Sequence, residues 1–180
     1  MAAARTVPLL IVTGPVGVGK TTVAYEVSKL LETADLPHAC IDMDTLRSCY
    51  PAPDGDRFNV ALGLRNLAAV WANCRAMGAT HLIVADVIES REGLAGYHEA
   101  VPGAVITVVR LRATLSTLTG RVTQREVGSG HDWHLRRAAE LAAQMDRDQV
   151  EDSTVETDGR TITAIAREVV TRSGWVIPEG

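Results

Sequence analysis

Short apolar runs alternate with longer amphipathic stretches along the chain. The apolar runs predict five strands, over residues 7–12, 38–41, 81–85, 104–111 and 154–156. The amphipathic stretches predict helices over residues 19–33, 45–49, 57–77, 91–100, 114–126, 133–147 and 161–172. Strands that alternate with helices in this way are typical of a mostly parallel sheet with helices on both faces.

The alternation continues without an internal repeat, a low-complexity tract or an interdomain linker. A chain of 180 residues is long enough for one domain with a sizeable core. We therefore predict a single domain over residues 1–180. Its expected fold class is α/β, with a five-stranded parallel sheet as the middle of three layers, α/β/α.

The first predicted strand leads directly into a glycine-rich segment, GPVGVGKT, at residues 14–21. This segment matches the phosphate-binding loop G-x-x-x-x-G-K-[ST] and lies between a strand and a helix, as that loop requires. Its glycines let backbone N–H groups approach phosphate oxygens, and the helix adds the positive end of its dipole. Lys20 is placed to reach the β- and γ-phosphates, and the Thr21 hydroxyl to ligate magnesium. The predicted nucleotide-binding residues here are Gly14, Pro15, Val16, Gly17, Val18, Gly19, Lys20, Thr21 and Thr22.

Two carboxylates, Asp42 and Asp44, flank Met43 where the second strand ends. Alternation along a strand places both on one face, and ligands of open α/β sheets lie outside the carboxyl ends of the strands. Phosphoryl transfer needs carboxylates there to position magnesium and to orient and deprotonate an attacking hydroxyl. We predict both as catalytic residues. The alternative is that Asp44 only caps the short helix after it.

Asp86 follows the third strand, and Glu89 comes shortly after it in the same loop. Both are expected to face the cleft and to contact the acceptor. For Asp86 a second role is open, because a carboxylate at a strand end can hold a magnesium-bound water. The alternative is that these residues form a strand-end turn or cap the helix near residue 91.

Arg121 and Arg125 lie four residues apart on the helix predicted after the fourth strand, so they share one face. Guanidinium groups stack on planar rings and bind phosphate oxygens in a fork, which favours a lid over the nucleotide. We expect this lid to cover approximately residues 114–137, with the Gly-Ser-Gly segment at 128–130 as a flexible joint. The alternative is a solvated surface helix.

The composition limits the classes of partner. A formal net charge of −4 gives no overall basic field to attract nucleic acid. No apolar run approaches the roughly 20 residues of a membrane span, and the N-terminal apolar stretch is the first strand rather than a signal peptide. The cysteines, Cys40, Cys49 and Cys74, lack metal-site spacing and are expected to be reduced thiols. We expect a cytoplasmic protein without a nucleic-acid or membrane partner.

With these motifs in order, the chain resembles the small P-loop metabolite kinases of the nucleoside-monophosphate-kinase type, a group that includes shikimate, gluconate and adenylylsulfate kinases. The N-terminal half looks most like adenylylsulfate kinase. The segment at residues 41–47, IDMDTLR, is similar to that family's D-G-D-x-x-R, and residues 56–59 are similar to its D-R-x-E-N, one residue shorter. Residues 79–90 resemble its third strand and I-S-P loop. The family's F-T-G-I-D and K-G-L-Y-K segments are absent from the second half, which disfavours adenylylsulfate as the substrate.

The resemblance implies the strand order 2-3-1-4-5 and the use of ATP and Mg²⁺. By similarity, Asp42 would hold magnesium through water, and Asp44 would contact the acceptor hydroxyl. Arg121 would stack on the base, and Arg125 would close over the phosphates as a catalytic residue. Asp158 and Gly159, after the fifth strand, lie where these kinases flank the adenine.

The predicted function is transfer of the γ-phosphoryl group of ATP to a hydroxyl of a small-molecule acceptor. The acceptor pocket is expected at residues 42–47, 50–59 and 86–91, with binding by Asp44, Arg47, Arg57, Asp86 and Glu89. One alternative is a nucleotide-dependent switch or regulatory ATPase that acts through a partner. Another is a kinase of nucleic-acid 5′-hydroxyl ends, which the negative net charge disfavours. A monomer and a homodimer are both compatible with the sequence.

Overall fold

Five strands form a parallel sheet in the computed structural model, which describes residues 6–125 and 131–176, without the side chains at 125, 131, 132, 134 and 135. The strands are β1 (Val7–Thr13), β2 (His38–Asp42), β3 (His81–Ala85), β4 (Ala104–Arg112) and β5 (Ser153–Glu156). Their order is β2-β3-β1-β4-β5, and each neighbouring pair is parallel. The predicted sheet and strand order are confirmed. The joint expected at 128–130 and the side chain of Arg125 lie outside the described residues.

Seven α-helices are described, and each corresponds to a predicted one. They are α1 (Lys20–Thr33), α2 (Met43–Leu46), α3 (Val60–Ala76), α4 (Leu94–Ala100), α5 (Leu115–Arg125), α6 (His131–Asp148) and α7 (Ile162–Ser173). A short 3-10 turn, Arg91–Gly93, precedes α4.

Two helices begin at residues other than those expected, because side chains cap them. The helix α2 begins two residues before the predicted start, since the Asp42 carboxylate accepts a hydrogen bond from the Asp44 N–H, 2.9 Å away. The helix α3 begins three residues later, since Asp56 accepts from the N–H groups of Val60 and Ala61 at 2.7 and 3.0 Å. Asp42, and not Asp44, is therefore the cap of α2.

Helices cover both faces of the sheet. Leu10 and Val12 of β1 point to one face, where they pack in a cluster with α1 and α7. Leu9 and Ile11 point to the other face and pack with α3 and α4. The period-two alternation of β1 thus supplies the cores of both outer layers, which confirms the three-layer arrangement.

The carboxyl ends of β1, β2 and β3 lie side by side. Asp42, at the end of β2, is in register with Ala85 of β3. The next residue, Asp86, donates its backbone N–H to the Val12 carbonyl, 3.2 Å away. This register brings the glycine-rich segment after β1 together with both carboxylates at one edge of the sheet.

The helix α6 is held to the sheet by a buried arginine. Arg110 of β4, only 3% exposed, donates to the Asp146 carboxylate at 2.8 Å and to the Ala142 carbonyl at 3.2 Å. Both partners lie in the carboxyl-terminal half of α6. The amino-terminal half of this helix extends over the carboxyl edge of the sheet and, with α5, forms a helical cover.

Among the described helices, none combines the length and the apolar character needed to cross a bilayer. All three cysteines are free thiols.

Candidate active site

A cleft of about 1210 Å³ opens at the carboxyl edge of the sheet, beneath α5 and α6. It is lined on one side by the glycine-rich segment and on the other by α2 and the loop after β3. Pockets for a single small ligand typically measure roughly 300–1,000 Å³. The cleft is therefore large enough for a nucleotide and a second molecule together.

The glycine-rich segment, residues 14–21, has a backbone that only glycine can adopt at its tightest points. Gly14 and Gly17 have φ angles of 146° and 83°. A Cβ atom at Gly14 would lie 2.7 Å from the Leu111 carbonyl oxygen, and one at Gly17 would lie 2.8 Å from a methyl of Val122. The Lys20 ammonium folds over this turn, with its Nζ atom 3.2 Å from the Gly14 carbonyl. This geometry is that of a phosphate-binding loop.

The Asp42 carboxylate joins this loop to α2. One of its oxygens accepts a hydrogen bond from the Thr21 hydroxyl at 2.6 Å, and the other accepts from the Asp44 N–H. Hydroxyl and carboxylate oxygens are ligands that Mg²⁺ prefers, directly or through water. The Thr21 hydroxyl oxygen and the Asp42 carboxylate oxygen that it contacts lie together beside the loop that would hold the phosphates. These two side chains therefore fit a magnesium ion.

The Asp44 side chain lines the same cleft, is exposed, and has no hydrogen bond to any part of the chain that the structure describes. Its backbone is fixed by the bond to Asp42, while its carboxylate accepts no hydrogen bond from the described chain. A carboxylate in this state can accept a proton or a hydrogen bond from a molecule in the cleft.

Arg47 and Asp86, both predicted to contact the acceptor, contact each other. Their bidentate ion pair has N–O distances of 2.7 and 2.6 Å, and the side chains are 15% and 2% exposed. The Tyr97 hydroxyl of α4 also donates to Asp86. Burial raises the pKa of Tyr97 well above its usual value, so its hydroxyl stays protonated and remains a donor. Burial also raises the pKa of Asp86, and the Arg47 charge counteracts this rise.

Glu89 pairs with the cover above it. Arg137 of α6 donates to the Glu89 carboxylate, so the loop after β3 is joined to the helix that covers the cleft. Glu89 is 43% exposed and Arg137 20% exposed in their side chains. Such a partly exposed pair contributes little to stability but can fix the distance between the two elements.

Arg57 and Phe58 lie on the opposite wall, in the loop before α3. The Arg57 guanidinium is 5.7 Å from the centre of the Phe58 ring and 5.8 Å from that of Trp133 on α6. The two rings themselves are 6.5 Å apart, with 42° between their planes. All three residues line the cleft.

On the nucleotide side, Arg121 of α5 donates to the Val18 carbonyl at 3.0 Å and to the Thr157 hydroxyl at 3.3 Å. It thus lies between the phosphate-binding loop and the loop after β5. Asp158 is used within the fold, since it accepts from the Thr114 N–H at 2.8 Å and this bond lowers its pKa. Thr157 and Arg160 line the cleft, whereas Asp158 and Gly159 between them do not.

Four functional side chains were not among the predicted site residues: Asn59, Tyr97, Trp133 and Arg137. Asn59, 5% exposed, donates to the carbonyls of Arg47 and Cys49 and so holds the turn after α2. Asn59 belongs to the segment with the D-R-x-E-N likeness, and Trp133 and Arg137 lie within the predicted lid, but none of the three was predicted individually. Tyr97 and Trp133 occupy apolar positions of helices and look like ordinary core residues.

Taken together, the sheet order, the phosphate-binding loop and the carboxylates at the strand ends define a three-layer α/β fold of the P-loop type. No protein-family model matches the chain, and a search of curated proteins finds no match either. Similarity is found among solved structures. The chain is 22% identical to a gluconokinase from Sinorhizobium meliloti 1021, over 95% of this chain and 94% of that one, with a TM-score of 0.61.

Two other solved structures align over almost their full length. The APS kinase CysC of Mycobacterium tuberculosis, in complex with AMPPNP and APS, is 21% identical over 96% of this chain and 100% of that one, with a TM-score of 0.64. The tunicamycin resistance protein of Deinococcus radiodurans is 18% identical over 98% and 100%, with a TM-score of 0.66. The predicted resemblance to the small P-loop kinases is confirmed at the level of the fold.

Proposed function

We propose that this protein is a kinase that transfers the γ-phosphoryl group of ATP to a hydroxyl group of a small molecule. The observation that carries the proposal is the state of Asp44: its carboxylate is exposed in the cleft, without a hydrogen-bond partner in the described chain, while its backbone is tied to Asp42. Transfer of a phosphoryl group needs a side chain that orients and deprotonates the attacking oxygen, whereas binding of nucleotide alone does not. The volume of the cleft, about 1210 Å³, also supports two ligands.

Different residues of the cleft would bind the nucleotide and the acceptor. The backbone of residues 14–21 and the Lys20 ammonium would bind the phosphates, and Arg121 would contact the base. Magnesium, held by Thr21 and through water by Asp42, would neutralise charge on the transferred phosphoryl group. Asp44 would orient the acceptor hydroxyl and take its proton as the oxygen attacks phosphorus. Arg125 remains a proposed phosphate-closing residue on the basis of the family resemblance.

Arg47 and Asp86 were predicted to bind the acceptor, and this proposal gives them a different role. Both oxygens of Asp86 bind Arg47, and one also accepts from Tyr97, which leaves Asp86 poorly placed to hold magnesium-bound water. We therefore propose Arg47 and Asp86 as positioning residues of α2, and Arg57 and Glu89 as the residues closer to the acceptor. The small-molecule kinases among the solved structures of the same fold support this class of activity.

The test begins with a panel of hydroxyl-bearing metabolites, screened for stimulated release of ADP from MgATP. Once an acceptor has been identified, Asp44→Asn is the decisive variant. It keeps the size of the side chain but removes its ability to take a proton. We expect kcat to fall by about a hundredfold or more, the usual scale for loss of a general base, with little change in ATP affinity. Asp42→Asn should weaken magnesium-dependent nucleotide binding as well as turnover.

The matched control is Asp148→Asn, which changes an exposed aspartate at the end of α6 and should leave both parameters unchanged. Undiminished turnover in Asp44→Asn would show that Asp44 is not the base. If the wild-type protein hydrolyses ATP but no acceptor on the panel stimulates it, the switch or regulatory ATPase becomes the better description.

A further inference from the structure

Five polar side chains that line the acceptor part of the cleft are bonded to one another. Arg47, Asp86 and Tyr97 form one closed group. Glu89 and Arg137 form a second. A polyhydroxylated acceptor needs a polar partner for each hydroxyl that it buries, and a site built for such a molecule leaves those partners available. In this part of the cleft those five side chains are bonded to one another, and the charged side chains that remain there without an ion pair in the described chain are Asp44 and Arg57.

Apolar side chains remain accessible in the same place. Phe58 is 47% exposed and Val60 is 41% exposed, and both line the cleft, as do Leu64 and Val87. Phe58 is the only phenylalanine in the chain. A large apolar ring that is left half exposed in a cleft offers a surface that a ligand can cover, with a gain from the area removed from water.

The rings also face one another across the cleft. Phe58 belongs to the loop before α3 and Trp133 to the helical cover, and their centres are 6.5 Å apart. This distance is within the range of direct aromatic contact and is too short for a ligand ring to slide between them. A ligand ring would instead pack against the exposed part of Phe58 and the edge of Trp133.

Arg57 adds a positive charge to this surface. Its guanidinium lies beside both rings and forms no ion pair with a carboxylate in the described chain. A cation in this position attracts the face of an additional aromatic ring and repels a cationic ligand. The group therefore favours a neutral or anionic molecule with a flat ring.

From these observations we infer that the acceptor is an aromatic alcohol, with its ring on the surface formed by Arg57, Phe58 and Trp133 and its hydroxyl at Asp44, rather than a sugar or sugar acid. This inference rests on the proposed kinase function for the role of the hydroxyl. The binding surface itself does not depend on phosphoryl transfer, so the two can be tested separately.

The test uses the full-length protein saturated with Mg²⁺ and a non-hydrolysable ATP analogue. Phenethyl alcohol and naphthylethanol are the aromatic probes, and glycerol and gluconate the polyhydroxylated ones. Binding is measured by saturation-transfer NMR with titration. We expect the aromatic probes to bind and the larger ring to bind more tightly. In Phe58→Ala and Trp133→Ala the affinity for naphthylethanol should fall about five- to tenfold, the scale of one lost aromatic contact.

The matched control is Tyr25→Ala, which removes a 51% exposed aromatic side chain of α1 and should leave probe binding unchanged. Nucleotide affinity, measured in parallel, reports whether each variant is folded. The inference is overturned if glycerol or gluconate binds more tightly than the aromatic probes, or if Phe58→Ala and Trp133→Ala bind naphthylethanol as the wild type does. ADP release with the same four probes tests phosphoryl transfer separately: binding of aromatic alcohols without transfer from ATP to any alcohol would leave the surface intact and remove the kinase proposal.

Discussion

The pair Arg47 and Asp86 allows a quantitative test of how the acceptor side of the cleft is held. Asp86→Leu removes a carboxylate that is 2% exposed and leaves the Arg47 guanidinium without its partner. Breaking a buried ion pair from one side costs about 3–5 kcal/mol, because the remaining charge stays buried. Arg47 is 15% exposed and lines the cleft, so water can reach part of it. We therefore expect a loss near the lower limit, about 3 kcal/mol.

A second variant separates the cost of the unpaired charge from the loss of packing. The stem of Arg47 packs against Gly63, where an added Cβ would lie 2.7 Å from the Arg47 Cγ atom. Methionine keeps this unbranched stem, so the double variant Arg47→Met with Asp86→Leu replaces the pair by apolar groups of similar shape. Such replacements are often close to neutral. The double variant should lose only about 1 kcal/mol or less, which means a coupling energy of at least about 2 kcal/mol.

The assay is denaturant and thermal unfolding of the four proteins of this cycle. For a domain of this size, about 3 kcal/mol corresponds to a fall in Tm of roughly 6–12 °C. Lys29→Met serves as a control, since the pair of Lys29 with Glu26, 3.5 Å apart and with the lysine 73% exposed, should contribute little to stability. Additive losses in the double variant, or a loss below about 1 kcal/mol in Asp86→Leu, would refute the account of Arg47 and Asp86 as a coupled buried pair.

Three further predictions concern single residues. Lys20→Ala should abolish turnover and leave Tm within about 2 °C of the wild type, as measured by ADP release and calorimetry, because a partly exposed loop lysine adds little to the core. Gly17→Ala should weaken nucleotide binding and lower Tm, measured by titration calorimetry and thermal unfolding, since its φ of 83° and the Val122 methyl 2.8 Å away both oppose a Cβ. Hydrogen bonds from the Val60 and Ala61 N–H groups lower the pKa of Asp56 below 3.8. The stabilisation that the ionised Asp56 carboxylate gives should therefore be complete above about pH 4 and lost as the pH falls through this lowered pKa. Asp56→Asn should flatten the acid limb of the curve of unfolding free energy against pH.

The architecture of the sheet could be predicted from the sequence because its determinants are local. Alternation in β1 places Leu10 and Leu9 on opposite faces, and each finds a helical layer. The phosphate-binding loop is likewise a continuous segment whose conformation depends on its own glycines. Strand order came from the family resemblance, since parallel pairing leaves little trace in a single sequence.

The side-chain pairs of the site could not be predicted in the same way. Arg47 and Asp86 are 39 residues apart in the chain, and each alone looks like a group that awaits a ligand. Only the fold shows that they neutralise each other, and that Tyr97, at an apolar position of α4, completes the group. The capping of α2 was also ambiguous, because Asp42 and Asp44 have the same chemistry two residues apart. The short hydrogen bond from Thr21 decides which of them faces the phosphate-binding loop.

That hydrogen bond has a consequence for how the two halves of the cleft are aligned. The Asp42 carboxylate accepts from Thr21, on the helix that would hold the nucleotide, and from the Asp44 N–H, on the turn that would hold the acceptor. The Asp42 carboxylate thus links the Thr21 hydroxyl, the proposed magnesium ligand, to the backbone of the proposed base, Asp44. Catalysis of phosphoryl transfer consists mainly of positioning and electrostatic stabilisation, so an error in the distance between the two would reduce the rate directly. The ion pair of Arg47 with Asp86 gives the turn a second attachment at the other end of α2. Under the proposed kinase function, residues 42–47 would fix the proposed base relative to the nucleotide, and the more exposed side chains around it would select the acceptor.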